Sequence, residues 1–266
     1  MLKYPEINPV ILHITDQLQI RWYGVMYLIG FLLCWLLLRQ KTKRFPGWET
    51  QDRVSDLIFY NALGVILGGR LGYILFYSLP GWLHDPSIVF RIWEGGMSFH
   101  GGLLGVVIAT ALFARRYGYP ILMLGDLMAA CVPLALGLGR LGNFINGELW
   151  GRVTDVPWAM VFPYAGPLPR HPSQLYAVLL EGILLFSILM WYTRLPRKIG
   201  SVTGLFLILY GLIRIFEEFF RQPDPQYGYL AWGWLTMGQI LCVPMIVVGG
   251  ILFIRARKAK LIEQIV

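Results

Sequence analysis

Residues 121–152 read ILMLGDLMAACVPLALGLGRLGNFINGELWGR, and the fold class turns on them. The part from Ile121 to Gly139 is apolar apart from Asp126, close to the ~20 residues that cross a bilayer as helix. The part from Gly137 to Arg152 then packs Arg140, Asn143, Asn146, Glu148 and Arg152 among Gly137, Gly139, Gly142 and Gly147. Polar groups this dense beside an apolar run are costly to bury without partners. The pairing of a membrane span with a polar exit makes this stretch a candidate wall of a site for an anionic lipid.

The rest of the composition agrees. Of 266 residues, 56% are hydrophobic and 14% charged, where soluble domains carry about 25% charged residues. Mean hydropathy is +0.58. The expected fold is an all-α polytopic membrane bundle, one integral-membrane domain over 1–266 with a polar insert at about 140–173. The net charge of +8 does not point to nucleic acid, because Lys and Arg cluster in short segments between apolar runs, as in positive-inside loops. Cys34, Cys131 and Cys242 all fall inside apolar runs, which excludes a disulfide framework and a zinc cluster. Pro5, Glu6, Pro9 and Asp16 interrupt any signal-peptide core, so insertion is expected to use uncleaved spans.

Seven spans are expected, at about Ile20–Leu38, Val54–Tyr77, Met97–Ala114, Ile121–Gly139, Leu175–Tyr192, Val202–Phe220 and Met237–Ile254. Basic clusters follow the first, third, fifth and seventh: Arg39 to Arg44, Arg115 and Arg116, Arg194 to Lys198, and Arg255 to Lys260. They all fall on one side, which places the N-terminus outside and the C-terminus in the cytoplasm. No internal repeat is visible, which argues against inverted-repeat transporters.

With that topology, several polar residues reach the outer half of the membrane. Arg70 shares a helix face with Tyr73 and Tyr77, and Gly64, Gly68 and Gly72 mark a close helix contact. Snorkelling is the plain alternative for Arg70. His100 sits between glycines in Gly95–Gly102. Arg140 and Arg152 are candidate phosphate ligands, with a capped, salt-bridged loop as the alternative. His171 or Ser173 is expected to cap the helix that Pro172 opens. Glu181 needs a cationic partner. Tyr210, Arg214 and Glu218 step by four along one face, with Arg221 beyond. Arginines delivered by several helices to one membrane level imply an anionic ligand, and phospholipid headgroups are the local anions.

The segments Trp22–Tyr27, Gly68–Tyr73, Gly95–Gly102, Gly139–Arg152, Arg170–Tyr176 and Tyr210–Pro223 resemble those of bacterial prolipoprotein diacylglyceryl transferases. The resemblance runs from near the N-terminus to the last span. It implies transfer of the diacylglyceryl group of phosphatidylglycerol to the lipobox cysteine of preprolipoproteins at the periplasmic face of the inner membrane. The resemblance also implies seven spans, a thioether product, glycerol phosphate as the leaving group, and no metal or soluble cofactor. Tyr23, His100, Arg140, Asn143, Glu148, Gly151, Tyr210, Arg214 and Glu218 fall on positions the family uses. The expected catalytic group is His100, Arg140, Arg214 and Glu218. The expected substrate-binding group is Tyr23, Arg70, Asn143, Asn146, Glu148, Gly151 and Tyr210. His100 is the first candidate base, with Glu148 or Glu218 left open. The rival classes are a phospholipid transporter or flippase, and an intramembrane serine hydrolase using Ser98 and His100, for which no Gly-x-Ser-x-Gly elbow is present.

Overall fold

Apolar runs with no water to satisfy their backbone must bond internally, and here they do so as helices. The computed structural model describes residues 2–15, 19–42, 52–223 and 228–258. Asp16, Lys43, Arg44, Asp224, Pro225 and Lys260 lie outside the described residues.

The helices are α1 (Trp22–Thr42), α2 (Asp52–Tyr77), the short α3 (Leu79–His84), α4 (Phe99–Tyr117), α5 (Ile121–Ala129) and α6 (Val132–Ile145). Then come α7 (Ser173–Ala177), a π-helical stretch Val178–Leu184 and α8 (Leu185–Tyr192), which run on as one helix of 20 residues. The last two are α9 (Ser201–Glu217) and α10 (Met237–Lys258). By length and composition α1, α2, Ser173–Tyr192 and α10 are each able to cross a membrane, and α5 with α6, bent by 51° at their break, counts as a fifth if the pair is one span. The protein is a helical membrane protein. The 19-residue α4 and 17-residue α9 fall outside that group; α4 ends in Arg115 and Arg116, and α9 carries Arg214 and Glu217.

One expectation is corrected. The run Ile121–Gly139 is not one straight span: it breaks at Ala130 and Cys131, where Pro133 sits in the first turn of α6 without an N–H to continue the preceding helix. Ahead of α1, β1 (Val10–His13) pairs antiparallel with β2 (Gln19–Arg21).

The closest helix contact is between α2 and α4. A Cβ on Gly64 would lie 2.6 Å from the Gly105 carbonyl oxygen, and one on Gly72 2.7 Å from Gly101 Cα. The glycine spacing therefore does serve backbone approach. The basic helix ends meet at one end of the bundle. Lys41 Nζ donates to Thr193 Oγ1 at 3.0 Å, and Lys198 Nζ to the Arg257 carbonyl at 2.8 Å. Asp126 is buried near this end and accepts from Gly200 N, Thr203 N and Thr203 Oγ1 at 2.6–2.7 Å, closing the start of α9. The main apolar core, with Leu38, Leu57, Phe113, Leu124, Cys131, Leu185 and Leu189, lies between the helices. A smaller one of Tyr4, Phe144, Met160 and Phe162 packs under the insert. There Tyr4 Oη donates to the carbonyls of Phe144 and Ile145 at 2.6 and 3.2 Å, satisfying acceptors that the end of α6 leaves open.

Candidate active site

Three helices bring a charged cluster together inside the bundle. Arg140 comes from α6, Glu181 from the π-helical stretch, and Arg214 and Glu217 from α9, with Glu218 just beyond its end. Arg140 holds Glu181 at two points, Nε to Oε2 at 2.9 Å and Nη2 to Oε1 at 3.3 Å. Arg214 reaches three carboxylates: Glu218 through Nη2, Glu217 through Nη1 at 3.4 Å and Glu181 through Nε at 3.9 Å. Glu218 also accepts from Arg221 Nη1 at 3.3 Å and Thr236 Oγ1 at 2.8 Å. Glu181, Glu217 and Glu218 are each buried to within 2% of full burial. Carboxylates so deep in a membrane protein persist only because the guanidinium groups compensate them.

The local backbone explains how Glu181 reaches both arginines. A π-helical turn inserts extra backbone, and α6 approaches here so closely that a Cβ on Gly137 would lie 2.9 Å from Gly182 Cα. Arg140 Nη1 makes no hydrogen bond among the described residues, and the side chain keeps 22% of its exposure. It is the guanidinium edge open to an incoming anion. Tyr210, nine-tenths buried and stacked on Phe206, sits within the electrostatic field of Arg140, Glu181 and Arg214.

The polar exit of α6 forms a second layer. Glu148 Oε1 accepts from Asn143 Nδ2 at 2.8 Å and Asn146 Nδ2 at 3.1 Å. Gln174 Nε2 donates to the Glu148 carbonyl at 2.6 Å and Ser173 Oγ to the Leu149 carbonyl at 3.0 Å. Between these anchors Gly147 and Leu149 are held at φ 67° and 58°, a left-handed conformation that costs a side-chain-bearing residue such as Leu149. Tyr23 packs on Gly142, where a Cβ would stand 2.9 Å from its ring, and its hydroxyl meets that of Tyr27 at 3.3 Å.

The chain matches the family model for prolipoprotein diacylglyceryl transferase over residues 9–255. The chain belongs to that family. It is 60% identical over 250 residues to a phosphatidylglycerol–prolipoprotein diacylglyceryl transferase of Pseudomonas paraeruginosa, covering 94% of this chain and 93% of that one. A protein of the same name from Pseudomonas aeruginosa is 59% identical over 249 residues, with the same shares covered. One from Legionella pneumophila is 56% identical over 249 residues, covering 94% of this chain and 97% of the relative.

The structure gathers Arg140, Arg214, Glu218 and Tyr210 in one cluster, with Asn143, Asn146, Glu148 and Tyr23 at the adjoining exit. The expected Arg214–Glu218 pair is present. Arg70 is differently occupied: its guanidinium donates to the carbonyls of Ile88, Arg91, Gly95 and Gly96, clamping the loop between α2 and α4. His100 is exposed at the start of α4, edge-on to Phe99, and no hydrogen bond or ion pair reaches it among the described residues. Arg152, read as a phosphate ligand, donates instead to the carbonyls of Arg221 and Glu218 at 3.1 and 2.8 Å. Gly151 allows that approach, since a Cβ there would lie 2.6 Å from His171 Cβ, the His171 carbonyl and the Phe220 carbonyl.

Neither His171 nor Ser173 caps α7. Pro172 takes the cap position, the His171 ring meets Tyr176 Oη through Nδ1 at 3.0 Å, and the Ser173 hydroxyl turns to Leu149. Partial burial pushes the His171 imidazole below its ordinary pKa. Glu181 was recognisable as a carboxylate in need of a cation but not as the link between two arginines. Glu217 gave no signal beyond its place beside Glu218. Among the described residues no group of three His, Cys, Asp or Glu side chains is placed to hold a metal ion.

Proposed function

We propose that this protein transfers the diacylglyceryl group of phosphatidylglycerol to the lipobox cysteine thiol of preprolipoproteins, the first step of bacterial lipoprotein maturation. The observation that carries the reading is the Arg140–Glu181–Arg214 cluster inside a helical membrane protein, with one guanidinium edge of Arg140 open. The names of the relatives pair the same two substrates, phosphatidylglycerol and a prolipoprotein.

In this reading the thiol loses its proton to His100, and the thiolate attacks the glycerol carbon that carries the phosphate ester. The sulfur–carbon bond forms, the carbon–oxygen bond breaks, and the electron pair leaves with glycerol phosphate. Arg140 and Arg214 stabilise the charge that grows on the departing phosphate, the largest class of catalytic contribution. Glu181 and Glu218 fix the two guanidinium groups. Asn143, Asn146 and Glu148 shape the exit, Gly151 lets it close on α9, and Tyr23 and Tyr210 line the approach of the lipid. Arg70 acts through the loop it clamps. His100 is favoured as base because Glu148 already accepts from two asparagines and Glu218 from three donors. The serine-hydrolase reading loses its nucleophile, since Ser98 is buried and its Oγ accepts from Gly101 N at the start of α4.

The reading places seven spans in the bacterial inner membrane, with α4, the α5–α6 pair and α9 counted among them. The N-terminus and the active site face the periplasm, and the basic helix ends face the cytoplasm. It is tested with purified Arg140→Ala and His100→Gln variants assayed for lipid transfer to a lipobox peptide. Loss of about 100- to 1,000-fold is expected for Arg140→Ala, the cost of removing one donor aimed at developing charge. Near-normal turnover in both variants, with folding intact, contradicts the assignment.

A further inference from the structure

Three carboxyl groups face the arginines, and the donors are unevenly shared among them. Glu181 accepts twice from Arg140, and Glu218 accepts from Arg214, Arg221 and Thr236. Glu217 is as deeply buried, yet its one N–H donor among the described residues is Arg214 Nη1, at 3.4 Å. Its other hydrogen bond joins it to a second carboxyl group, that of Glu181. Two carboxyl groups bond to each other only through a proton, and a close buried pair does not hold two negative charges. The two-point grip of Arg140 keeps Glu181 the anion of the pair. The proton therefore belongs to Glu217. The titratable and charged groups around it are Arg140 from α6, Glu181 from the π-helical stretch, Tyr210 and Arg214 from α9, and Cys242 from α10.

We propose that Glu217 is a neutral acid that donates to Glu181 and so leaves the arginine cluster with one net positive charge. Arg140, Arg214 and Arg221 are cationic, and only Glu181 and Glu218 are left to oppose them. The surplus matches a lipid whose phosphodiester is its only charge. A zwitterionic lipid fits less well, because its headgroup cation is repelled by the same surplus. Glu217 is thus a positioning residue that also sets specificity, acting through Glu181, which spaces the two guanidinium groups. The inference rests on Arg140 and Arg214 being the phosphodiester-binding groups.

The test uses the full-length protein in detergent. With its glutamate carboxyl carbons isotopically labelled, infrared spectra at pH 7 are expected to show the carbonyl band of a protonated glutamic acid. The band should vanish in Glu217→Gln and, should that variant not fold, in Glu217→Asp, which also lacks the labelled group. A wild type without the band, or a variant that keeps it, overturns the inference. Calorimetry then compares dihexanoyl phosphatidylglycerol with dihexanoyl phosphatidylcholine. Glu217→Gln keeps a neutral N–H donor in the same shape, so its phosphatidylglycerol Kd is expected to equal that of the wild type. A several-fold tighter Kd there, as removal of a true anion would give, overturns the inference. Phosphatidylcholine is expected to bind both proteins about tenfold more weakly, and equal binding of the two lipids overturns the charge matching. In transfer assays Glu217→Leu, which cannot donate to Glu181, is expected to lose kcat on the order of tenfold while Glu217→Gln retains it. Equal kcat in these two variants overturns the donor role. An unchanged phosphatidylglycerol Kd in Arg214→Gln overturns the reading beneath the inference.

Discussion

Arg140 and Glu181 form a two-point ion pair between α6 and the π-helical stretch, with Nε–Oε2 at 2.9 Å and Nη2–Oε1 at 3.3 Å. Because Glu181 also faces Arg214, it sets the spacing of the two guanidinium groups. Glu181→Ala leaves two buried cations without a shared partner, a loss of about 3–5 kcal/mol by comparison with other broken buried pairs. Thermal unfolding in detergent is expected to show a clearly lowered midpoint. Glu181→Gln, isosteric but uncharged, is expected to stay folded and lose transfer activity on the order of 100-fold, as removal of a charge-orienting group does.

Gly151 supplies a prediction of a different kind. Its Cα faces the carbonyls of His171 and Phe220 so closely that a Cβ has no space on either side. Gly151→Ala must push the strand-like contact with Arg221 apart and loosen the Arg152 bonds that tie the insert to α9. Overpacking of this sort costs about 1–3 kcal/mol. Faster proteolysis between residues 150 and 172 is expected to accompany the loss of activity, whereas a purely substrate-contacting glycine would leave the cleavage pattern unchanged.

How far these relationships were readable beforehand depends on what decides them. Gly64, Gly68 and Gly72 announce a close contact, because a four-residue glycine repeat can serve little else in an apolar helix. The Arg214–Glu218 pair follows from helical spacing alone. The partner of Glu181 does not, since it depends on how α6 lies against a π-helical turn that no periodicity reveals. Arg152 and Arg140 look alike in sequence, yet one ends on backbone carbonyls and the other on a carboxylate, because the insert doubles back along α9. The bend between α5 and α6 had a visible cause in Pro133, which an apolar run of membrane-spanning length conceals.

His171 gives a pH prediction outside the spans. Burial lowers its pKa in the folded protein, so below the ordinary value of about 6.5 the unfolded chain binds a proton more readily than the folded one. The folded state therefore loses stability as pH falls from near neutrality through the depressed pKa. In His171→Gln, the unfolding midpoint measured between pH 7 and pH 5 is expected to fall less steeply than in the wild type. An identical slope in the two proteins places the acid sensitivity elsewhere.

The central claim is a reaction, and the mass of its product tests it most directly. A lipobox peptide incubated with the purified protein and phosphatidylglycerol is predicted to gain one diacylglyceryl group at its cysteine. The bond between sulfur and glycerol should survive hydroxylamine at neutral pH, as a thioether does and a thioester does not, and the adduct should be missing when Arg140→Ala replaces the wild type. A folded wild-type protein that returns the peptide at its original mass, or cleaved, contradicts the account.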